Sequence, residues 1–224
     1  MALDRRPLKT RDRAWPRALA TALARRGMTA NGMSVSGVVA AAGAAVAISA
    51  TLWVEAPWAR SALWLAAALG IQLRLVANLL DGLIAIEGGR RSPVGDIYND
   101  VPDRLEDALA IVPAGYALTA LWPYGDDLGW AAIALAITTA YIRQLGVACG
   151  LPATFIGPMA KPQRMAAMTA ACVVAAAVTP WRYDLHAIGV ALVVVALGAA
   201  ITCVRRLRVI ATGLRARAAG GTTP

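Results

Sequence analysis

Histidine, phenylalanine and cysteine are scarce in this sequence, and the scarcity limits the kinds of site it can build. There is one histidine, one phenylalanine and three cysteines. The cysteines lie far apart and lack the spacing of metal ligands, so we expect Cys149, Cys172 and Cys203 to be small core residues. His186 falls near the outer end of the last apolar segment, where we expect an interfacial position.

Hydrophobic residues are abundant. They make up 58% of the 224 residues, and the mean hydropathy is +0.58. A soluble domain of this length is not so apolar. The alternation of a membrane barrel is absent, whereas the many small residues suit closely packed membrane helices. The composition therefore predicts an all-α, polytopic membrane bundle.

The net charge is strongly positive, at +9 with a pI of about 10.3. In a soluble protein this would indicate nucleic acid. In a membrane protein it is better explained by basic cytoplasmic loops that face anionic lipid. We therefore expect membrane lipid, and not nucleic acid, as the partner of this charge.

Six segments are long and apolar enough to cross a bilayer, which takes about 20 mostly apolar residues. Tryptophans lie at several of their ends, as is typical of membrane interfaces. The predicted spans are 35–54, 61–86, 99–122, 130–150, 164–180 and 185–204.

Basic residues predict the orientation of these spans. Eighteen of them fall in the N-terminal segment, the loops at 87–104 and 151–164, and the C-terminal tail, whereas the opposite loops hold only Arg60 and Arg182. The positive-inside rule places both termini in the cytoplasm. We expect a multi-pass protein of a bacterial inner membrane.

Three regions follow from this pattern. Residues 1–33 form a basic cytoplasmic segment, in which 11–27 carry apolar residues at helical spacing among arginines and predict an amphipathic surface helix. This segment lacks a continuous apolar run, so we expect no cleavable signal. Residues 34–212 form the six-helix domain, and residues 213–224 are expected to be a disordered tail.

Polar residues cluster where the second and third spans meet. Asn78 and Asp81 are three residues apart and share a helix face, as do Asn99 and Asp103, four apart. A short loop rich in Gly and Arg, 88–91, joins the two helices. Two antiparallel helices would aim these four oxygen-bearing side chains at one point, and such oxygens suit a hard cation such as Mg²⁺ or Mn²⁺.

Besides cation binding, purely structural roles stay open for these residues. Ionisable residues at membrane depth usually serve function, but Asp81 and Asp103 could cap helices or pair with arginines. Asn78 and Asn99 could form interhelical hydrogen bonds. Arg74 is expected to pair with a neighbouring acid.

The cluster resembles the signature of the CDP-alcohol phosphatidyltransferases, D-x2-D-G-x2-A-R-x8-G-x3-D-x3-D. The resemblance covers most of the chain and includes the Thr-Pro-Asn-like turn at 27–34 before the first span. Every spacing is preserved, and the matching residues are Asp81, Gly82, Ala85, Gly95 and Asp103.

The chain departs from the signature at three positions. Asn78 and Asn99 replace acids, and Ile86 replaces the arginine. An asparagine offers a metal an oxygen but no charge. The pattern looks like a bacterial branch of the family, in which Asp100, Asp96 or Glu87 could compensate.

The resemblance implies six spans, a cytoplasmic-side active site, a homodimer and a reaction. A phosphatidyl group would pass from a CDP-linked lipid, such as CDP-diacylglycerol, to an alcohol, with release of CMP. Asp103 would be the base, close to a Mg²⁺ or Mn²⁺ ion. The expected metal ligands are Asn78, Asp81, Asn99, Asp100 and Asp103. The expected nucleotide contacts are Thr29, Asn31, Asp81, Gly82, Ala85 and Gly95. The expected phosphate- or acceptor-binding residues are Arg143, Lys161 and Arg164.

Two further functions remain open at this stage. The asparagines and Ile86 favour a non-catalytic relative that binds a lipid or a partner. A transporter that uses the polar cluster as an ion site ranks last, because repeated halves and broken helices are not evident. The acceptor alcohol is open, with a weak preference for a phosphorylated polyol.

Overall fold

The computed structural model describes residues 14–87 and 95–220, and within these the side chains of Ile86, Glu87, Asp96 and Asn99 lie outside the description. The described chain is helical and contains no strand. Its helices are α1 Ala14–Arg25, α2 Ala30–Ala50, α3 Pro57–Glu87, α4 Gly95–Leu118, α5 Gly125–Ala148, α6 Lys161–Val178 and α7 Asp184–Ala218, with a short 3-10 turn at Thr179–Trp181 before α7.

The six long helices form a closed ring of neighbours. Around the ring the order is α2, α3, α6, α7, α5 and α4, and α4 also contacts α7 across the centre. Consequently α3 and α4 are not packed side by side. They approach each other at few points, because α2 lies against both.

Glycines set the closest helix approaches. A Cβ added at Gly70 of α3 would lie 2.8 Å from the Ala40 carbonyl oxygen of α2, and one at Gly115 of α4 would lie 2.7 Å from the Gly129 Cα of α5. Such contacts are closed to any larger residue. The small residues noted in the composition therefore hold the helices at short range.

Five helices of the described chain are long and apolar enough to span a membrane: α2, α3, α5, α6 and α7. The third predicted span, 99–122, corresponds to α4, which is not among these five helices. Its first half carries Asp100, Asp103, Arg104, Glu106 and Asp107. The prediction of six spans is therefore not confirmed, and the exception is the helix that carries the polar cluster.

Several boundaries differ from the predicted ones. The second span begins at Pro57, and the last helix continues to Ala218, so that residues 213–218 of the predicted disordered tail are helical. Residues 221–224 lie outside the described chain. Of the cysteines, Cys172 and Cys203 are buried as expected, whereas Cys149 is exposed because it follows the end of α5.

The segment 11–27, for which an amphipathic surface helix was predicted, contains the helix α1. Ala20 is fully buried against Leu80, Leu83 and Ile84 near the end of α3, while Trp15 remains 48% exposed. Gly27, at φ 85°, provides the turn into α2. The described part of α1 is therefore attached to the end of α3 that bears the polar cluster.

Candidate functional site

Asn78 joins α3 to α4. Its side-chain nitrogen donates to Asp103 Oδ1 at 3.0 Å and to Glu106 Oε2 at 2.8 Å. Asp103 and Glu106 are three residues apart on α4 and so present one face toward α3. Asn78 and Asp103 were expected to meet, and they form a direct hydrogen bond. Because α3 and α4 are not packed side by side, these polar side chains bridge the space between the two helices.

Asp81 lies one turn farther along α3 and is buried. Its Oδ2 accepts a hydrogen bond of 2.8 Å from the Ser34 hydroxyl of α2. It is within electrostatic reach of Asp103 and of Lys161. Two carboxylates from different helices therefore flank Asn78, as the sequence predicted, and a serine that was not predicted holds one of them.

A buried ion-pair network lies beneath this face. Arg74 of α3 donates to Glu106 Oε2 at 2.8 Å and to Asp107 Oδ1 at 2.7 Å. Arg164 of α6 donates to Asp107 Oδ2 at 2.5 Å and to the Met159 carbonyl at 3.2 Å. The expectation that Arg74 pairs with an acid is confirmed, and the network ties α3, α4 and α6 together.

Glycine leaves space on the third side of the cluster. A Cβ added at Gly37 of α2 would lie 2.6 Å from Glu106 Oε1 and 3.3 Å from Asn78 Oδ1. Both oxygens therefore face α2 at a position where any larger residue would collide with them.

The remaining predicted basic residues separate into two environments. Lys161, at the start of α6, bonds to Asp103 Oδ1. Arg143 bonds to Asp100 Oδ1 at 3.2 Å and stacks over the Phe155 ring at 5.6 Å. Both are partly exposed, whereas Arg164 is buried on Asp107, so the structure does not bring all three together as one anion-binding set.

Asp100 and Asn99 were expected among the metal ligands. Asp100 faces outward onto Arg104, Arg143 and Gln144, with Gln144 Nε2 at 3.2 Å from Oδ2. None of these contacts joins it to Asn78 or Asp81. The side chain of Asn99 lies outside the described residues, as do the side chains of Asp96 and Glu87.

The predicted nucleotide contacts line one end of the bundle. Thr29 caps α2 by accepting a 3.0 Å hydrogen bond from the Gly32 amide, and Asn31 lies half-buried in the first turn. Gly82 is buried next to Asp81, while Ala85 is half-buried one turn later. Gly95 begins α4.

The donor set fits a divalent cation only in part. Among the described residues, no three His, Cys, Asp or Glu side chains are grouped as a metal site requires. The acids are already engaged by cations of the chain itself. Yet Glu106 Oε1 is buried without a hydrogen-bond partner, and Asp81 is held by a neutral hydroxyl. A buried bare carboxylate oxygen is what an added cation would satisfy.

Four residues were missed in the sequence: Ser34, Gly37, Glu106 and Asp107. A signal for two of them was present, because Glu106 and Asp107 follow Asp103 at helical spacings of three and four. Ser34 and Gly37 have no such signal, since only the packing of α2 between α3 and α4 brings them to the acids.

The fold as a whole is similar to that of a phosphatidylinositol phosphate synthase. Three solved structures of the Mycobacterium tuberculosis enzyme (PgsA1) match the chain. The structure with CDP-DAG bound has a TM-score of 0.71 at 20% identity, over 87% of this chain and 92% of that one. The complex with manganese and citrate gives 0.72 at 22% over 88% and 89%, and the apo form 0.69 at 21% over 87% and 95%.

At these identities the likeness shows a shared fold. No protein-family model and no curated protein sequence matches the chain.

Proposed function

We propose that this protein transfers a phosphate-linked lipid group from a CDP-linked lipid to an alcohol and releases CMP. The observation that carries the proposal is the contact between α3 and α4, in which Asn78 bonds to Asp103 while Asp81 lies buried one turn away. These are signature positions of the CDP-alcohol phosphatidyltransferases. The shared fold supports the proposal, since a neighbour of that fold was solved with CDP-DAG bound.

Asp103 is the residue we assign as the base. The hydroxyl oxygen of the acceptor forms a bond to the lipid-linked phosphorus, the bond from that phosphorus to the oxygen of CMP breaks, and the hydroxyl proton passes to the Asp103 carboxylate. The side chain of Asp103 is 15% exposed, so a substrate can reach it. Its bond to Lys161 holds the carboxylate in place, and geometry of this kind is the first requirement for a general base.

Asp81, Asn78 and Asp103 are the described residues that we propose to hold a divalent cation, with Asn99 and Asp100 as further candidates. A bound Mg²⁺ or Mn²⁺ would supply charge neutralisation for the pyrophosphate and for the departing CMP. A neighbour of the fold was solved with manganese, which supports a divalent metal without choosing between the two.

Anion binding is assigned to Arg143 and Lys161. Both are partly exposed. A phosphate could replace Asp100 on Arg143, and the Lys161 ammonium has three donors, so it can bind a phosphate while it keeps Asp103. Arg164 is assigned differently from the sequence-based expectation. It is 1% exposed and saturates Asp107, so we propose that it positions α4 instead of touching substrate.

The surroundings of the reaction follow the sequence-based expectations. We propose that Thr29, Asn31, Gly82, Ala85 and Gly95 contact or make room for the nucleotide. We also propose a bacterial inner membrane, cytoplasmic termini and a homodimer. The acceptor class is left open.

One experiment tests the reaction. Purified protein is incubated with CDP-diacylglycerol, Mg²⁺ or Mn²⁺ and a panel of alcohols that includes glycerol phosphate, inositol phosphate and serine, and CMP is measured. We expect release by the wild type and loss in Asp81→Asn. Asp127→Asn, an exposed acid in the first turn of α5, is the control and should keep full activity.

A second candidate is a non-catalytic lipid- or partner-binding relative. The observation that favours it is the neutral Asn78 together with the engagement of Asp103 by Lys161. This candidate predicts that CDP-diacylglycerol binds while no acceptor of the panel elicits CMP, and that result would overturn the transferase proposal.

A further inference from the structure

The segment between α5 and α6 is held in place by α7. This connecting segment, residues 149–160, contains no helix or strand, yet its last two residues, Met159 and Ala160, are buried. Side chains of α7 bond to backbone atoms at the beginning, in the second half and near the end of the segment. They are Arg217 on the Cys149 and Gly150 carbonyls, Arg206 on the Ile156 carbonyl and Thr202 on the Met159 amide.

Thr202 uses both the donor and the acceptor capacity of its hydroxyl. The residue is fully buried, and the hydroxyl donates to the Gly198 carbonyl at 2.7 Å, which is the usual bond of a threonine inside a helix. The same oxygen accepts a hydrogen bond of 3.0 Å from the Met159 amide. Because a buried amide without an acceptor is costly, this bond fixes the position of the connecting segment at Met159.

Gly157 brings the connecting segment close to the same threonine. Its φ of 114° lies in the region that favours glycine, and an added Cβ would lie 2.5 Å from Thr202 Cγ2. A larger residue would therefore be strained and would collide with α7. Two contacts within three residues, at Gly157 and Met159, hold the segment against Thr202.

Met159 links this contact to α6. Its carbonyl accepts a hydrogen bond of 3.2 Å from Arg164, so one residue is bonded to α7 through its amide and to α6 through its carbonyl. Lys161 begins α6 two residues later and bonds to Asp103. None of the residues assigned to the proposed site lies on α7, so the connecting segment is the route by which α7 acts on that site.

From these observations we infer that Thr202 is a positioning residue. Through the connecting segment it holds Lys161 where the ammonium group keeps Asp103 and binds a phosphate group of the ligand. The pyrophosphate of a CDP-linked lipid and the phosphate of a phosphorylated alcohol share this chemistry, and binding measurements on each separate them. The inference rests on the proposed function for the role of Lys161, and it adds a residue from a helix that supplies no ligand contact.

Ligand binding tests the inference apart from turnover. Dissociation constants for CDP-diacylglycerol and for glycerol phosphate are measured separately by calorimetry on the full-length protein in detergent. Thr202→Val keeps the shape of the side chain and removes the acceptor of the Met159 amide, and we expect the dissociation constant of the ligand that contacts Lys161 to rise about fivefold or more. Thr202→Ser keeps the hydroxyl and should bind as the wild type does.

Thr179→Val is the matched control. Thr179 is a buried threonine at the far end of α6, and its hydroxyl makes the same kind of bond, at 2.7 Å, to the Ala175 carbonyl. Its substitution should leave both dissociation constants unchanged. Hydrogen exchange of the connecting segment should become faster in Thr202→Val and stay unchanged in Thr179→Val.

A double-mutant cycle separates positioning from a general loss of structure. If Thr202 acts through Lys161, Thr202→Val should have little further effect on affinity in a Lys161→Ala background, whereas a merely structural effect would add in full. The ligand whose dissociation constant rises in Lys161→Ala is the one that carries the phosphate to this position.

A second pair of variants leaves the threonine in place. Gly157→Ala pushes the connecting segment away from Thr202 and should weaken binding of the same ligand. Gly220→Ala is its control, because Gly220 also has a positive φ, of 78°, but has nothing within 4 Å of an added Cβ. This pair keeps the inference testable if Thr202→Val fails to fold.

The outcomes are distinct. Unchanged affinities in folded Thr202→Val, an equal loss in Thr179→Val, or full additivity with Lys161→Ala would each overturn the inference. A wild type that binds neither ligand would overturn it as well. CMP release, measured separately, decides the proposed function, because a non-catalytic relative that binds CDP-diacylglycerol would give the same cycle of dissociation constants.

Discussion

Two buried acid–base groups lie near opposite ends of α3, and they differ in how completely their polar atoms are satisfied. Near the start of α3, Asp184 bonds to Arg60 and to the Trp64 ring nitrogen at 3.0 Å, and Arg60 also donates to the Thr51 carbonyl at 2.9 Å. One acid meets one base there, and the described contacts leave no buried atom bare.

Toward the other end of α3, the cluster around Glu106 is incomplete. Within the described chain, the three buried side-chain atoms without a hydrogen-bond partner are Arg74 Nε, Glu106 Oε1 and Arg164 Nε, and all three belong to this network. A saturated ion pair only has to hold helices together, whereas a site that receives charged ligands must keep capacity in reserve. The comparison contrasts a saturated ion pair with the cluster that we propose to be functional.

The largest effect that we expect is a loss of CMP release when Asp103, in the incompletely hydrogen-bonded cluster, is changed. Asp103→Asn removes the proposed base while preserving shape, and CMP release should fall about a hundredfold or more. Turnover of CDP-diacylglycerol with the responsive acceptor is the measurement. Activity within a few-fold of wild type would show that another group takes the proton.

A large loss of stability is expected when the buried network is opened. Asp107→Asn replaces one of the two carboxylate oxygens that Arg74 and Arg164 share by an NH2 group, so one buried guanidinium loses its bond to this side chain, and breaking a buried pair in this way costs about 3–5 kcal/mol. Unfolding in detergent, followed by circular dichroism, measures the change. A loss below that of Asp184→Asn would contradict the dominant structural role given to Asp107.

A smaller loss is expected for the same substitution at the saturated end. Asp184→Asn retains an oxygen for Arg60 and Trp64, so only the charge contribution is removed and the cost should be about 1–3 kcal/mol. CMP release by the folded fraction should match wild type. A strong loss of turnover without unfolding would mean that the two ends are coupled.

The smallest effect on stability is expected at the partly exposed ion pair between Arg143 and Asp100. The ion pair of Arg143 with Asp100 is partly exposed, and such pairs contribute about 1 kcal/mol or less. Arg143→Ala should therefore leave the melting temperature nearly unchanged while raising the KM for a phosphorylated acceptor or for the CDP-lipid. An unchanged KM for both would remove Arg143 from the anion-binding set, and Arg182→Ala, distant in sequence, serves as the control.

Much of the candidate site could be predicted because it repeats at helical spacing. Asn78 and Asp81, and Asp103 with its neighbours, lie three or four residues apart, and that periodicity places them on common faces whatever the tertiary structure. The pairing of Arg74 with an acid could also be predicted, because an isolated charge at that depth is too costly. The charged residues in the first half of α4 explain why the predicted count of six apolar spans is not confirmed.

The contributions of α2 and α6 could not be predicted in the same way. Ser34 reaches Asp81 and Gly37 reaches Glu106 because α2 packs between α3 and α4, a contact between residues far apart in the chain. The sequence predicted that Arg164 binds phosphate together with Lys161. Arg164 lies about one helical turn farther along α6, where its side chain is buried against Asp107. The spacing of residues within a helix predicts which of them share a face, but it does not predict which helix packs against that face.

The sequence alone determined the helices, their apolar character and the two polar faces, since these depend on composition and on the 3.6-residue period of a single helix. The tertiary structure decided which acidic and basic side chains of different helices form ion pairs. Distances between helices set electrostatic partners, and those distances follow from glycine contacts that no local pattern encodes. Glu106 shows the difference. Its position in the sequence gives no sign of its partner, and only the packing of the helices brings it into contact with Asn78.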